Sequence, residues 1–137
     1  MLELIVLLRA SQLFTHHAHL VVKGSLFNQD HEFLSDIYQE LESDFDAVSE
    51  RMIGLGKEAE YSLPIITQKI AEKLKSAPTS VKENKDFFKY QLELEKQICQ
   101  QVNALCKTPI SEGTKQLIGD VGNRSEIRQY KLSRRIS

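Results

Sequence analysis

The sequence predicts an all-α domain built as a bundle of four long helices. Apolar residues recur at alternating steps of three and four in four separate stretches, which is the period of an amphipathic helix. The link between the first two stretches is short, whereas the link between the second and third is long. A bundle whose helices run up, down, down and up needs such a crossover. The length of 137 residues fits one core, so we expect a single domain over residues 1–137.

The first helix is predicted from Leu2 to Lys23. Its apolar stripe consists of Leu4, Leu7, Leu8, Phe14, Ala18 and Val21. A separate polar line on the same helix consists of Gln12, His16, His19 and Lys23. Gly24 then permits the chain to leave the helix, because glycine adopts the left-handed conformation that often ends one.

The second helix is predicted to begin after Asn28, a suitable N-cap, with Asp30 and Glu32 favourably placed in its first turn. Its apolar stripe consists of Leu34, Ile37, Leu41, Phe45, Val48, Met52 and Leu55. The helix should end between Gly54 and Gly56. Two long amphipathic helices joined by a short loop predict an antiparallel helical hairpin.

The crossover and the second half of the chain complete the bundle. Pro64 and Pro78 bracket a short apolar helix within the crossover. The third long helix is predicted from Val81 to Lys107, and Ser111 can cap the fourth. The apolar register of the third helix consists of Phe88, Leu92, Glu95, Ile98, Val102 and Leu105. Three glycines weaken the fourth helix by about 1 kcal/mol each relative to alanine; they are Gly113, Gly119 and Gly122.

Composition excludes several classes of partner. A net charge of -1 gives no general attraction to nucleic acid or to anionic membranes. No stretch approaches the roughly 20 apolar residues that span a bilayer, and Glu3 stands where a signal peptide would be basic. Cys99 and Cys106 lie about 10 Å apart along one predicted helix, too far for a disulfide within one chain. We therefore expect free thiols that pack as small hydrophobes, and a cytoplasmic protein.

The candidate metal ligands lie in the first third of the chain. All four histidines fall between residues 16 and 31, and Asp46 and Glu50 follow one helical turn apart. Imidazole nitrogens and carboxylate oxygens are ligands of first-row transition metals. On one helix, however, His31 and Asp46 would lie about 22 Å apart along the axis. They cannot share an ion within one chain, but a second copy, antiparallel across a two-fold axis, could supply the missing carboxylates.

The spacing of these residues resembles a known signature. His19, His31, Asp46 and Glu50 match, without insertion or deletion, the ferroxidase motif of the Dps family of mini-ferritins. Lys23-Gly24 after the first histidine, Phe27 before the second, and Arg51 after the glutamate agree with it as well.

The resemblance implies a ferritin-like four-helix bundle with a short helix in the crossover between helices two and three. It implies a di-iron site at the subunit interface, where Fe(II) is oxidised with hydrogen peroxide or oxygen. The Fe(III) product would be stored in a hollow homo-oligomer, a dodecamer built from two-fold dimers. Such a ferroxidase removes peroxide and ferrous iron together, which protects against oxidative damage.

Two positions depart from the family pattern. Leu20 stands where an aromatic usually follows the first histidine, and Ser35 stands where an acidic residue usually follows the second, with Asp36 displaced by one. The second iron position is therefore expected to be weaker, with His16 a further candidate ligand. The alternative is a structural or nucleoid-associated assembly of the same fold, whose metal site is vestigial or holds zinc.

Other polar residues receive simpler interpretations. His17, Glu42 and Asp44 are expected to face solvent. The basic last turn is interpreted as a complement to the helix dipole rather than a DNA clamp; its members are Lys131, Arg134 and Arg135. We accordingly expect DNA binding to be weak or absent.

Overall fold

The computed structural model describes residues 1–137 as five α-helices and one short 3-10 helix, without strands. The elements are α1 (Leu2–Val21), α2 (Phe27–Gly54), the 3-10 helix (Glu58–Glu60), α3 (Leu63–Leu74), α4 (Lys85–Cys106) and α5 (Glu112–Ile136). The long helices α1, α2, α4 and α5 form the bundle, and α3 is the short helix of the crossover. The predicted fold class is therefore confirmed.

Contacts at one end of the bundle fix the direction of each helix. The C-terminal end of α1 meets the N-terminal end of α4, where the Lys23 amide donates to Asn84 Oδ1 at 3.1 Å. The C-terminal end of α5 reaches the same end of the bundle, where the Arg135 guanidinium donates to Asp30 on α2. The long helices thus run up, down, down and up, and the crossover between α2 and α4 spans the length of the bundle.

The core follows the predicted apolar stripes except at the ends of the helices. One cluster of 21 buried residues joins all four long helices. A smaller cluster seats α3 on α1, where Ile66 and Ile70 pack against Val6 and Ala10. Val21, at the last position of α1, is 39% exposed, and Leu55, just beyond α2, is 47% exposed. The stripe loses its packing partners where each helix stops.

Three predicted helix boundaries are wrong. Helix α1 stops at Val21, because Val22 adopts an extended conformation, and Gly24 then turns the chain with a φ of 90°. Helix α2 already starts at Phe27, so Asn28 lies inside its first turn and Leu26 takes the N-cap position. Helix α4 starts at Lys85 rather than at Val81.

One of the three glycines in α5, Gly122, is required by the packing of the helix. A Cβ added at Gly122 would lie 2.9 Å from Val102 Cγ1 on α4, closer than a methyl group can approach. The missing side chain thus lets α4 and α5 pack closely. Ser111 caps the helix as predicted, since its Oγ accepts from the Thr114 amide at 3.2 Å.

A charged network lies inside the bundle between α2, α4 and α5. The Arg128 guanidinium donates through Nε to both carboxylate oxygens of Glu95, at 2.9 and 2.7 Å, and through Nη1 to Glu40 at 2.5 Å. Asp44 accepts from Arg124 Nε at 2.8 Å. The prediction that Asp44 faces solvent is wrong, because it is 2% exposed and belongs to this network.

Candidate metal centre

His19 and His31 form a reciprocal pair where α1 ends and α2 begins. The Nδ1 atom of His19 lies 2.6 Å from the backbone oxygen of His31, and the Nδ1 atom of His31 lies 2.7 Å from the backbone oxygen of His19. The two rings stack with centroids 3.6 Å apart and planes inclined by 18°. The short turn at Gly24 brings these residues together although twelve positions separate them.

The hydrogen bonds of the pair determine which nitrogen is free. A carbonyl oxygen only accepts, so both Nδ1 atoms donate and carry a proton. In a neutral imidazole, the Nε2 atom then holds a lone pair. Histidines that bind metals in proteins have this arrangement, with one nitrogen fixed by a backbone carbonyl and the other on the metal. His19 and His31 therefore fit an iron or zinc ion as neutral donors.

Further aromatic rings surround the pair. Phe27 stacks on His31 with centroids 4.9 Å apart, and Tyr38 lies edge-on to His19 at 5.3 Å. His16, the further candidate ligand, lies 6.0 Å from His19 between ring centroids and stacks on Tyr38 at 4.2 Å, with planes inclined by only 9°. His16 is thus near the pair, with one face of its ring covered by the phenol.

Asp46 and Glu50 lie apart from the histidines. Both are exposed on α2, and neither makes a hydrogen bond or an ion pair within the chain. Because α2 is unbroken, Asp46 stands about 22 Å from His31 along the helix axis. No group of three or more histidine, cysteine, aspartate or glutamate side chains converges within the chain. One chain therefore assembles the histidine half of the predicted site and leaves the carboxylate half separate.

The two departures from the family pattern are visible in the structure. Leu20 is 64% exposed. Ser35 Oγ accepts a hydrogen bond from Gln39 Nε2 at 2.9 Å, and its neighbour Asp36 is exposed. Position 35 thus carries a hydrogen-bonded hydroxyl in place of a carboxylate.

Tyr38 is the residue of this centre that sequence reasoning missed. It lies seven residues after His31, close to two helical turns, and so on the same face of α2. That spacing was a usable signal. His17 was also misjudged, because its Nε2 lies 2.9 Å from the backbone oxygen of Thr79 and it is partly buried.

Arg135 is likewise more than a surface charge. Its Nε and Nη2 bind the two oxygens of the buried Asp30 at 2.9 and 2.8 Å. This hydrogen bond raises the pKa of Arg135. Lys131 and Arg134 remain exposed, as predicted.

Comparison with known protein families agrees with this architecture. A model of the ferritin-like domain matches residues 3–121. The chain belongs to the family of ferritin-like domains. That membership indicates iron storage or iron oxidation in general, and oligomeric assembly is typical of such proteins. No curated protein matches the chain. None of the helices has the length and apolar character needed to cross a membrane.

Proposed function

We propose that this protein is a Dps-type mini-ferritin. Its substrate is ferrous iron, which it oxidises with hydrogen peroxide or oxygen and stores as ferric iron inside a hollow oligomer of twelve subunits. The whole chain, residues 1–137, acts as one domain, and the free thiols Cys99 and Cys106 suit a reducing cytoplasm.

The observation that carries this proposal is the division of one ligand set into two halves. The paired His19 and His31 leave their Nε2 atoms without a hydrogen bond in the chain, while Asp46 and Glu50 have no partner within the chain. A site shared across an interface requires both halves from each subunit. One half is a pair of fixed imidazoles, and the other is two unpaired carboxylates one helical turn apart. A two-fold axis would unite the halves twice in every dimer.

The ligand types suit the oxidation of iron. Neutral imidazoles bind Fe(II), whereas carboxylates are hard donors that favour Fe(III). His19 and His31 would therefore receive ferrous iron from one side of the interface. Glu50 and Asp46 of the other subunit would stabilise the ferric product and leave positions open for water or peroxide.

A complementation experiment tests this arrangement. Cages of His31→Ala and cages of Asp46→Ala are each expected to be inactive in Fe(II) oxidation. When the two are dissociated, mixed and reassembled, half of the random dimers contain both variants. One site of such a dimer carries both lesions and the other carries none, so up to about a quarter of wild-type oxidation should return.

The controls for this experiment are assembly and self-mixing. Each variant mixed with itself should remain inactive, and light scattering should show intact oligomers in every sample. A lack of recovery in properly assembled mixtures would refute the shared site. A wild-type protein that stays monomeric at micromolar concentration would refute the oligomer itself.

The second candidate is a structural or nucleoid-associated assembly with a vestigial or zinc-occupied site. Ser35 favours it, because a serine bound to Gln39 cannot replace an acidic iron ligand. Purified protein that binds zinc but does not oxidise Fe(II) with peroxide or oxygen would support this candidate over the first.

Weak or absent DNA binding is part of the proposal. Arg135 is bound by Asp30, so Lys131 and Arg134 are the exposed cations near the C-terminal end of α5. Few phosphate contacts are therefore available from each subunit. A gel-shift assay at physiological salt should show no retained complex, and tight, salt-resistant binding would contradict this expectation.

A further inference from the structure

We propose that Asn84, at the start of α4, is a positioning residue of the His19 and His31 centre. It acts on the histidines without touching them, because it controls where α1 ends. This inference rests on the proposed function in one respect, since it takes the paired histidines as metal ligands. It adds to the centre a residue from the second half of the chain, which contains no histidine.

The Asn84 side chain binds both backbone groups of Lys23. The Lys23 amide donates to Asn84 Oδ1 at 3.1 Å, and Asn84 Nδ2 donates to the Lys23 carbonyl at 2.7 Å. An asparagine at an N-cap usually accepts a hydrogen bond from its own helix. Asn84 occupies the N-cap of α4 but makes no such bond. Its side chain is instead used to hold the segment that follows α1.

The bond to the Lys23 amide determines what the His19 carbonyl can accept. In a continued α-helix, this amide would donate to the carbonyl four residues earlier, which belongs to His19. Helix α1 stops before that bond can form, because Val22 is extended and its amide closes the helix on Ala18. The His19 carbonyl therefore accepts from His31 Nδ1 at 2.7 Å. That bond keeps the proton of a neutral His31 on Nδ1 and the lone pair on Nε2.

Asn84 is itself held by a buried ion pair. Its Nδ2 also donates to Asp30 Oδ2 at 2.9 Å, and Arg135 donates to both oxygens of Asp30 at 2.9 and 2.8 Å. Asp30 is 2% exposed and immediately precedes His31. The hydrogen bonds from Arg135 through Asp30 and Asn84 to Lys23 thus join the ends of all four long helices at the corner that holds the histidines.

Removal of the Asn84 side chain should act on His31 through Lys23. The released Lys23 amide can extend α1 and donate to the His19 carbonyl, in competition with His31 Nδ1. His31 would then lose the bond that fixes its tautomer and the orientation of its ring. Loss of such an outer partner typically lowers metal affinity 10–100-fold. A residue that only stabilised the fold would leave the tautomer of His31 unchanged.

The test is solid-state nitrogen NMR of the assembled, metal-free protein with labelled histidine, at a pH where imidazole is neutral. The His31 signals are identified by their loss in His31→Ala. Wild-type His31 should be protonated at Nδ1 alone, whereas Asn84→Ala should show a mixture of tautomers and bind zinc about 10–100-fold more weakly. The matched control is Asn28→Ala, an exposed asparagine of the same corner, which should behave as wild type.

Arg135→Gln provides a second variant, because it leaves Asn84 in place and removes the cation that holds Asp30. It should weaken zinc binding by a smaller factor than Asn84→Ala does. Light scattering checks that each variant assembles. If Asn84→Ala failed to assemble, an unchanged His31 signal and zinc affinity in Arg135→Gln would overturn the inference.

These measurements separate this inference from the proposed function. An assembled Asn84→Ala protein that kept the wild-type tautomer and zinc affinity would overturn the role of Asn84, and the ferroxidase would stand. Wild-type protein that oxidised no iron would overturn the ferroxidase. The effect of Asn84 on the metal-free His31 ring would stand in that case, because it is measured without iron.

Discussion

Two regions of this bundle contain the side chains from which metal sites are built, and they use them in opposite ways. In the interior, Glu95 and Asp44 are buried, and guanidinium groups bind them at 2.7 to 2.9 Å. At the corner between α1 and α2, His19 and His31 are partly exposed and keep their Nε2 atoms free. The interior carboxylates already have their cations, whereas the corner imidazoles have only their orientation fixed.

The difference shows that the availability of a ligand matters more than its identity. Arg128 binds two carboxylates, the buried Glu95 and the partly exposed Glu40, as a bound cation would. A divalent ion would have to displace a buried guanidinium, at a large electrostatic cost. We therefore expect the interior network to stabilise the fold and the corner to bind metal.

The largest effect should come from breaking the interior pair. Glu95→Ala leaves the Arg128 charge buried without its main partner, which should lower the free energy of unfolding by about 3–5 kcal/mol. The matched control is Glu93→Ala, on the exposed surface of the same helix. The ion pair of Glu93 with Lys96 contributes about 1 kcal/mol or less to stability. Urea unfolding at fixed protein concentration measures both. Equal losses in the two variants would contradict a structural role for the network.

A smaller effect should come from metal binding at the corner. Zinc that binds only folded protein should raise stability by about 2.7 kcal/mol at a hundredfold excess over its Kd. His31→Ala and Asp46→Ala should each lose most of this gain although the residues lie far apart on α2. Glu42→Ala, an exposed acid on the same helix, should keep it. Thermal unfolding with and without zinc provides the measurement. If zinc stabilised Asp46→Ala as much as wild type, Asp46 would not be a ligand of the site.

Most of the fold was predictable because helical periodicity is a local property of the sequence. The side of α2 on which each acid lies was predictable too. Asp44 lies three residues after Leu41 and four before Val48, so it falls on the apolar stripe, whereas Asp46 falls on the opposite side of the helix. The interpretation of Asp44 as a solvated charge overlooked this spacing.

The contacts between residues far apart in the sequence could be known only from the tertiary structure. Arg128 binds Glu95 across 33 residues of chain, and no local pattern joins the two. The reciprocal hydrogen bonds of His19 and His31 also depend on the path of the turn between α1 and α2. The spacing alone could not show that the two histidines of the candidate site are already paired within one chain.

The smallest effect concerns the pH dependence of the interior region. Burial raises the pKa of Asp44 above its ordinary value of 3.8, against the opposing effect of Arg124. The folded protein then holds the carboxyl proton more tightly than the unfolded chain does. The contribution of this group to stability is therefore fully present below the unfolded pKa and is lost as pH rises through the folded pKa.

Asp44→Asn supplies the reference for this effect, because the amide does not titrate. The free energy of unfolding of wild type minus that of Asp44→Asn should fall as pH rises from 3.8 toward neutrality. Urea unfolding of both proteins across this range measures the difference. A difference that instead grows with pH would mean that the hydrogen bond from Arg124 at 2.8 Å outweighs the cost of burial. Asp44 would then be stabilised as an anion by its arginines, and the interior network would strengthen the fold most at neutral pH.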